Sequence, residues 1–293
     1  MSIDLTEETI TAEVQKTFDG AADERTREIF VSLVQHLHDF AREVRLTSEE
    51  WFTAVDFLER VGRISSPTRQ EFVLLSDILG VSVLVDQINH DGGAGSATDS
   101  TLLGPFYVDG RPRVENGSDI SGGVPGMPLF FTGRVVDSTG LPVSGADVDT
   151  WHSDGEGFYD VQQADKLHGE LAMRALLHTD LDGWFSFRSI VPRYYPVPTD
   201  GPCGEIIRAA GRSPMRPEHL HFRFRAAGCE PLVTMLFRGD DPYLEQDAVF
   251  GAKRSLVADF ADHEAGETAP DGTPMTEPFQ TVEWTFTLAS ARR

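Results

Sequence analysis

Apolar positions recur at helical spacing through the first part of the chain. In REIFVSLVQHLHDFAREV, Ile29, Leu33, Leu37 and Phe40 share one face of a helix. TSEEWFTAVDFLERVG repeats the pattern with Trp51, Val55 and Leu58. It opens on Thr47 and Ser48, both suited to capping a helix, with acids in the first turn. SPTRQEFVLLSDILGVSVLVDQINH continues it, with Pro67 placed for a helix start. Glycine is sparse until residue 92.

Beyond that point the period changes. HDGGAGSATDS (90–100) reads as a turn-rich linker. Short apolar runs then alternate with turn signals: LFFTGRVVD, ADVDTWHS, and HTDLDGWFSFRSI with its turn at Asp182 and Gly183. TVEWTFTL alternates near the end, and QDAVFGAKRSLVADF is expected to hold one more helix. Helical and strand segments are segregated rather than interleaved, which disfavours a doubly wound nucleotide-binding fold. The predicted architecture is mainly β. An all-helical N-terminal domain (residues 1–100) precedes an antiparallel β-sandwich (residues 101–293). Neither GxGxxG after a strand nor GxxxxGK[ST] occurs.

Charge narrows the partners. The 293 residues carry a net charge of −22, which disfavours a nucleic-acid partner, since phosphate binding needs clustered Lys and Arg. Two cysteines, Cys203 and Cys229, form no disulfide framework and no CxxC zinc motif. The amino terminus MSIDLTEETI lacks the basic and apolar regions of a signal peptide, and no run of about 18 apolar residues exists to span a membrane. A reducing cytoplasm is the expected compartment.

RPEHLHFRF raises the question of chemistry. On a strand, His219 and His221 point to the same face. They are therefore either a satisfied structural pair or half of a metal site. His36 and His38, two apart on a predicted helix, point about 200° apart and cannot chelate one ion. His90, His152, His168 and His178 are singletons that read as structural, and His263 lies in a polar segment. A third ligand is not obvious. Neither His219 nor His221 is followed by the Asp or Glu of an HxD or HxE pair, no cysteine cluster is present, and no GxSxG elbow suggests a serine hydrolase. Tyrosine is scarce but oddly placed. Tyr159 lies in a glycine-rich turn leaving a strand, and Tyr194 and Tyr195 lie in VPRYYPVPTDGP, a loop stiffened by Pro192, Pro196 and Pro198. Loop packing explains such tyrosines, and so does ligation of a hard ferric ion by phenolate.

Together these stretches resemble the intradiol ring-cleavage dioxygenases, non-haem Fe(III) enzymes that open catechols between the two hydroxyls. The resemblance rests on DVDTWHSDGEGFYD, SIVPRYYPVPTDGP, RPEHLHFRF and GDDPYLEQDAVF, and on EWFTAVDFLERVG, RQEFVLLSDILGVSVLVD and STLLGPFYV in the amino-terminal part. It covers roughly residues 25 to 290. It implies Tyr159, Tyr195, His219 and His221 as iron ligands. Tyr195 is preferred over Tyr194 by the spacing Pro192, Tyr195, Pro198, Gly201, Pro202. Tyr195 would also serve as general base, and Arg216 would stabilise negative charge on the ring. One departure stands out. Many relatives carry Gln in the strand after the histidines, where this chain reads VTMLF with Met235.

The resemblance also implies partners: a small aromatic diol or triol, O2, a second copy of the chain through the helical region, and a phospholipid held there. STLLGPFYV and PTDGPCGE look most like the branch acting on hydroxyquinol (benzene-1,2,4-triol), with 3-hydroxy-cis,cis-muconate (maleylacetate) as product. Catechol and chlorocatechols are the competing substrates. Asp77 is a candidate partner for a third hydroxyl, with an exposed helical acid as the plain alternative. Leu74, Leu103, Gly104, Pro105, Phe106, Val197 and Val249 are expected to wall the pocket. The rival readings are a β-sandwich binding module with a structural HxH and a zinc hydrolase using HxH plus a distant ligand.

Overall fold

The computed structural model describes residues 4–66, 69–90 and 97–291; Pro67 and most of the expected linker lie outside them. The chain divides into two compact units, Met1–Arg60 and Val61–Arg293.

The first unit contains α1 (Ile10–Lys16), α2 (Glu24–Glu43) and most of α3 (Ser48–Ile64), the break falling within α3. Asp23 caps α2 by accepting from the Thr26 amide. Thr47 and Glu50 form a reciprocal capping box at the start of α3, the Thr47 amide donating to Glu50 Oε2 at 2.8 Å and the Glu50 amide to Thr47 Oγ1 at 3.2 Å. α1 is tied to α2 by polar contacts. Thr11 meets His38 Nδ1 at 2.9 Å, and Arg42 donates to Thr11 Oγ1 at 2.6 Å. The apolar stripes of α2 and α3 face outward, with Leu37 and Phe40 more than half exposed.

The second unit continues through α4 (Glu71–Ile78) and α5 (Val81–His90) into a mostly β body. Its strands are β1 (Pro128–Asp137), β2 (Asp147–His152), β3 (Arg174–His178), β4 (Trp184–Ile190), β5 (Tyr195–Pro196) and β6 (Met215–Arg216). They continue as β7 (His219–Arg225), β8 (Leu232–Arg238), β9 (Val257–Ala258), β10 (Ala261–His263) and β11 (Phe279–Leu288). One sheet runs β10-β11-β1-β4 and a second runs β3-β2-β7-β8-β9. Phe131, Phe185, Phe187 and Phe286 of the first sheet pack against Leu220, Phe222 and Phe224 of the second, making the sandwich core. The sheets are mixed rather than antiparallel throughout: β1 pairs with β11, and β8 with β9, in parallel. Among the described residues no helix is long and apolar enough to cross a membrane.

The helix expected within 246–260 does not form; two 3₁₀ turns occur instead, Leu244–Gln246 at its edge and Arg254–Leu256 inside it. The Asp247 carboxylate accepts from the amides of Val249, Gly251 and Ala252, capturing donors a helix would use. Phe250 moreover has φ +58°. The additional helix is instead α6 (Pro202–Ala209), which starts with Pro202 behind Gly201.

Candidate active site

Strand alternation sorts the chemistry. On β7, Leu220, Phe222 and Phe224 enter the sandwich core, so His219 and His221 point to the other face of the sheet. Register puts Trp151 opposite His221 on β2, and Met235 opposite it on β8. Loops then close over this face.

Two of those loops deliver the tyrosines. After β2 the chain turns at Asp154, whose carboxylate accepts from the amides of Glu156 and Phe158. Gly157 has φ +89°, and a Cβ there would lie 2.9 Å from both the Tyr194 carbonyl oxygen and Tyr195 Cβ. Glycine is thus what lets the two tyrosine loops touch. The Arg193 amide donates to the Asp154 carbonyl at 3.1 Å, and Ser153 Oγ donates to the Arg193 carbonyl at 2.9 Å. Tyr195 pairs with Arg216 across the short β5–β6 ladder, which brings the arginine into the same layer.

Tyr159, Tyr195, His219 and His221 converge. Tyr159 Oη lies 3.3 Å from Tyr195 Oη, 3.3 Å from His219 Nε2 and 3.0 Å from His221 Nε2. The two Nε2 atoms are 3.1 Å apart. All four side chains are buried. Tyr194 turns away and packs edge-on against Tyr243, its hydroxyl accepting from Arg193.

Electrostatics leaves this cluster rich in lone pairs. Burial and the Arg216 charge push His219 down to about 3, and burial with His219 beside it pushes His221 well below the usual range. Both imidazoles are therefore neutral. His219 Nδ1 donates to the Pro217 carbonyl at 2.6 Å, which leaves its Nε2 unprotonated and facing the cluster. Burial, followed by the neighbouring Tyr195, raises Tyr159 well above its ordinary value. Donor atoms separated by about 3 Å are spaced as ligands about 2 Å from one shared ion. No group of three or more His, Cys, Asp or Glu able to hold a metal exists among the described residues, so a cation here needs the phenol oxygens. Two phenols and two imidazoles fit a ferric ion.

Arg216 is buried beside the cluster, its Nη1 3.4 Å from His219 Nε2. Asp247 holds the guanidinium at 3.2 and 3.4 Å. Burial opposes the charge on Arg216, but Asp247 and the two tyrosines outweigh it and its pKa is raised. Asp247 itself is lowered: burial acts against ionisation and Arg216 overcomes it. Met235 lies underneath, with its Sδ 3.6 Å from Arg216 Nη2.

The expected wall residues separate into groups. Phe106 stacks on Tyr159 with ring centroids 4.3 Å apart, and a Cβ on Gly104 would lie 3.4 Å from His221 Cε1. Leu103 and Pro105 stand exposed on either side of Gly104. Leu74, Val197 and Val249 share one apolar cluster with Ile78 and Cys203. Asp77 is half-buried rather than an exposed helical acid. Burial raises its pKa while Ser82 and Arg216 act to lower it.

Sequence reasoning missed Asp247, Trp151 and the buried pair of Arg174 with Asp160. Arg174 Nη1 also donates to the Phe106 carbonyl at 3.0 Å, joining that loop to the turn after Tyr159. Trp151 carried a readable signal, since strand alternation puts it on the face opposite the core residue Val148. Asp247 carried none before Arg216 was placed. His152 is structural, bonded to the Ser153 carbonyl and Ser189 Oγ.

Comparison with known proteins agrees with this construction. The family described as Dioxygenase matches residues 102–290, and the one described as Catechol dioxygenase N terminus matches residues 23–96. Hydroxyquinol 1,2-dioxygenase of Nocardioides simplex is 44% identical over 97% of this chain and 96% of its own. The 6-chlorohydroxyquinol 1,2-dioxygenase of Cupriavidus pinatubonensis is 49% identical over 80% of this chain and 84% of its own. The solved hydroxyquinol 1,2-dioxygenase from Pseudomonas putida DLL-E4 superposes with a TM-score of 0.90 at 41% identity, covering 97% of this chain and 99% of that one. With both parts matched along nearly its whole length, the chain belongs to the intradiol ring-cleavage dioxygenase family.

Proposed function

We propose that this enzyme opens hydroxyquinol between adjacent hydroxyls with O2, on a non-haem iron(III) held by Tyr159, Tyr195, His219 and His221. The observation that carries the reading is the convergence of Tyr159 Oη with the other three donor atoms at 3.0 to 3.3 Å. Bound there, a ferric ion supplies Lewis acidity that activates the diol toward O2 without an external reductant.

The remaining roles belong to the chain. Tyr195 Oη takes a proton from a substrate hydroxyl. Arg216, buried and fixed by Asp247, stabilises negative charge that develops on the ring. Phe106 and Gly104 shape the pocket beside Tyr159 and His221, and the Leu74, Val197 and Val249 cluster supplies apolar wall. Asp77 accepts a hydrogen bond from the third hydroxyl. The name of the Nocardioides simplex relative supports hydroxyquinol over catechol as the preferred substrate.

The helical stretch before residue 101 is assigned to dimerisation and the β region to catalysis. The family matches, which end at residue 96 and begin at residue 102, support a boundary near residue 100. The exposed stripes on α2 and α3 support a homodimer contact and offer a surface for a phospholipid acyl chain. Two free cysteines, Cys203 and Cys229, fit a cytoplasmic enzyme.

The test is oxygen uptake with hydroxyquinol, catechol and 4-chlorocatechol in parallel. Hydroxyquinol is the fastest by kcat/KM; a preference for catechol overturns the substrate assignment and leaves the reaction class intact. The loaded protein is red-brown from tyrosinate-to-iron charge transfer. A colourless folded protein holding one zinc per chain overturns the metal assignment.

A further inference from the structure

The two histidines of the site are held by unlike means. His219 is oriented by a short hydrogen bond from its Nδ1 to the Pro217 carbonyl, at 2.6 Å. Imidazoles that bind metals are nearly always fixed in this way, through the nitrogen not facing the ion. His221 is different. Its Nδ1 is buried and has no hydrogen-bond partner among the described residues. What its ring has instead is the indole of Trp151, stacked 4.6 Å away at 13°.

Several features mark this stack as a clamp. Trp151 sits opposite His221 in the β2–β7 register, so the backbone ladder sets the two rings side by side. Tyr107 packs edge-on against the indole at 5.1 Å and backs it toward the protein exterior. The Gly104 backbone runs beside the imidazole, where a Cβ would meet Cε1 at 3.4 Å. The Trp151 Nε1 hydrogen is itself buried without a partner among the described residues. A buried indole normally finds an acceptor for that hydrogen. Here the side chain forgoes it, and its flat face is the part in use.

We propose that Trp151 is the positioning residue for His221. It fixes the imidazole plane by stacking, in the role a hydrogen bond plays for His219. The proposal rests on the metal assignment above for its importance to activity, and on the ring geometry alone for its structural content.

The test uses Trp151→Leu, which removes the flat face, and Trp151→Phe, which keeps one and cannot donate a hydrogen bond. Crystal structures of both variants without metal read the ring directly. In the leucine variant the His221 ring is rotated or split between orientations, and in the phenylalanine variant it stays in place. An unmoved His221 ring in Trp151→Leu overturns the proposal whatever the site binds. The iron-loaded proteins give the second readout, the rate at which a chelator removes iron and the position of the visible band. Trp151→Leu loses iron about 10- to 100-fold faster with a shifted band, the scale on which supporting residues tune metal affinity. Trp151→Phe restores most of the loss. Equal loss in both variants overturns the stacking role. If the wild-type protein shows neither iron nor a visible band, the metal assignment falls, and the crystal structures still decide the role of Trp151.

Discussion

Asp247 clamps Arg216, with Nε to Oδ1 at 3.2 Å and Nη2 to Oδ2 at 3.4 Å, both residues buried. The same carboxylate receives three backbone amides from its own loop. One side chain thus fixes the loop and the arginine together. Asp247→Asn keeps the shape and removes the charge, leaving Arg216 as an uncompensated buried cation. Breaking a buried pair from one side costs about 3–5 kcal/mol. Thermal and denaturant unfolding check this, and kcat falls with the loss of a fixed guanidinium. The sign of the pH dependence follows from the lowered carboxylate. The stabilisation is complete above the ordinary Asp range, is lost as pH falls from about 3.8 through the folded value, and is absent in Asp247→Asn.

Gly157 joins the two tyrosine loops because nothing larger fits between them. Gly157→Ala places a Cβ 2.9 Å from the Tyr194 carbonyl oxygen, in a backbone region that disfavours side chains. The expected cost is about 1–3 kcal/mol. Any relief that moves the Tyr195 loop also separates Tyr195 from Tyr159. Unfolding measures the first effect, and a weakened visible band in the iron-loaded protein measures the second.

Adjacent tyrosines give a clean contrast. Tyr195 faces the donor cluster, whereas Tyr194 packs on Tyr243 and Arg193. Tyr195→Phe removes the proposed general base and lowers kcat by about 10²- to 10⁴-fold. Tyr194→Phe leaves kcat at the wild-type value, since its hydroxyl accepts from Arg193 and faces away from the donor cluster. Steady-state oxygen uptake separates the two, and equal losses would show that the loop as a whole, not the Tyr195 hydroxyl, matters.

What sequence could show divides along the range of the interactions. The period-two placement of His219 and His221 was legible because strand geometry is local. The helical stripes were legible for the same reason, although their outward orientation was not, since periodicity fixes a face and says nothing of what covers it. Tyr159 and Tyr195 were legible only through resemblance, because their meeting depends on a glycine contact between two loops. The parallel pairing of β1 with β11 joins strands from opposite ends of the β region, and no local pattern encodes that. The expected helix around Asp247 failed because a side chain took over the backbone donors, and its reason for doing so, Arg216, lies 31 residues away.

In its proposed role, Asp77 links pH to substrate choice. Burial holds its carboxyl above the ordinary range, against the pull of Ser82 and Arg216. The ionised form is the stronger acceptor for a third hydroxyl. As pH falls toward the raised value, KM for hydroxyquinol rises, while KM for catechol, which lacks that hydroxyl, keeps its profile. Asp77→Leu removes the acceptor and lowers kcat/KM for hydroxyquinol relative to catechol by about 10- to 100-fold, the worth of one hydrogen bond to a charged group. Parallel kcat/KM profiles on the two substrates check both statements, and an unchanged ratio in Asp77→Leu removes Asp77 from recognition.

The amino-terminal unit supplies a test that does not involve the site. Leu33, Leu37 and Phe40 form one face of α2, and Trp51, Val55 and Leu58 one face of α3, all substantially exposed in a single chain. Exposed apolar stripes of this kind on a folded chain mark an interface rather than a solvated face. Its occupant in the proposed homodimer is the same surface of a second copy. Leu37→Glu combined with Phe40→Glu puts two charges on that face without touching a capped helix end or the Thr11, His38 and Arg42 contacts that hold α1. Light scattering at working concentration gives twice the 32.3 kDa chain mass for the wild-type protein and the single mass for the double variant. A monomeric wild-type protein overturns the dimer, and a dimeric double variant moves the contact off α2.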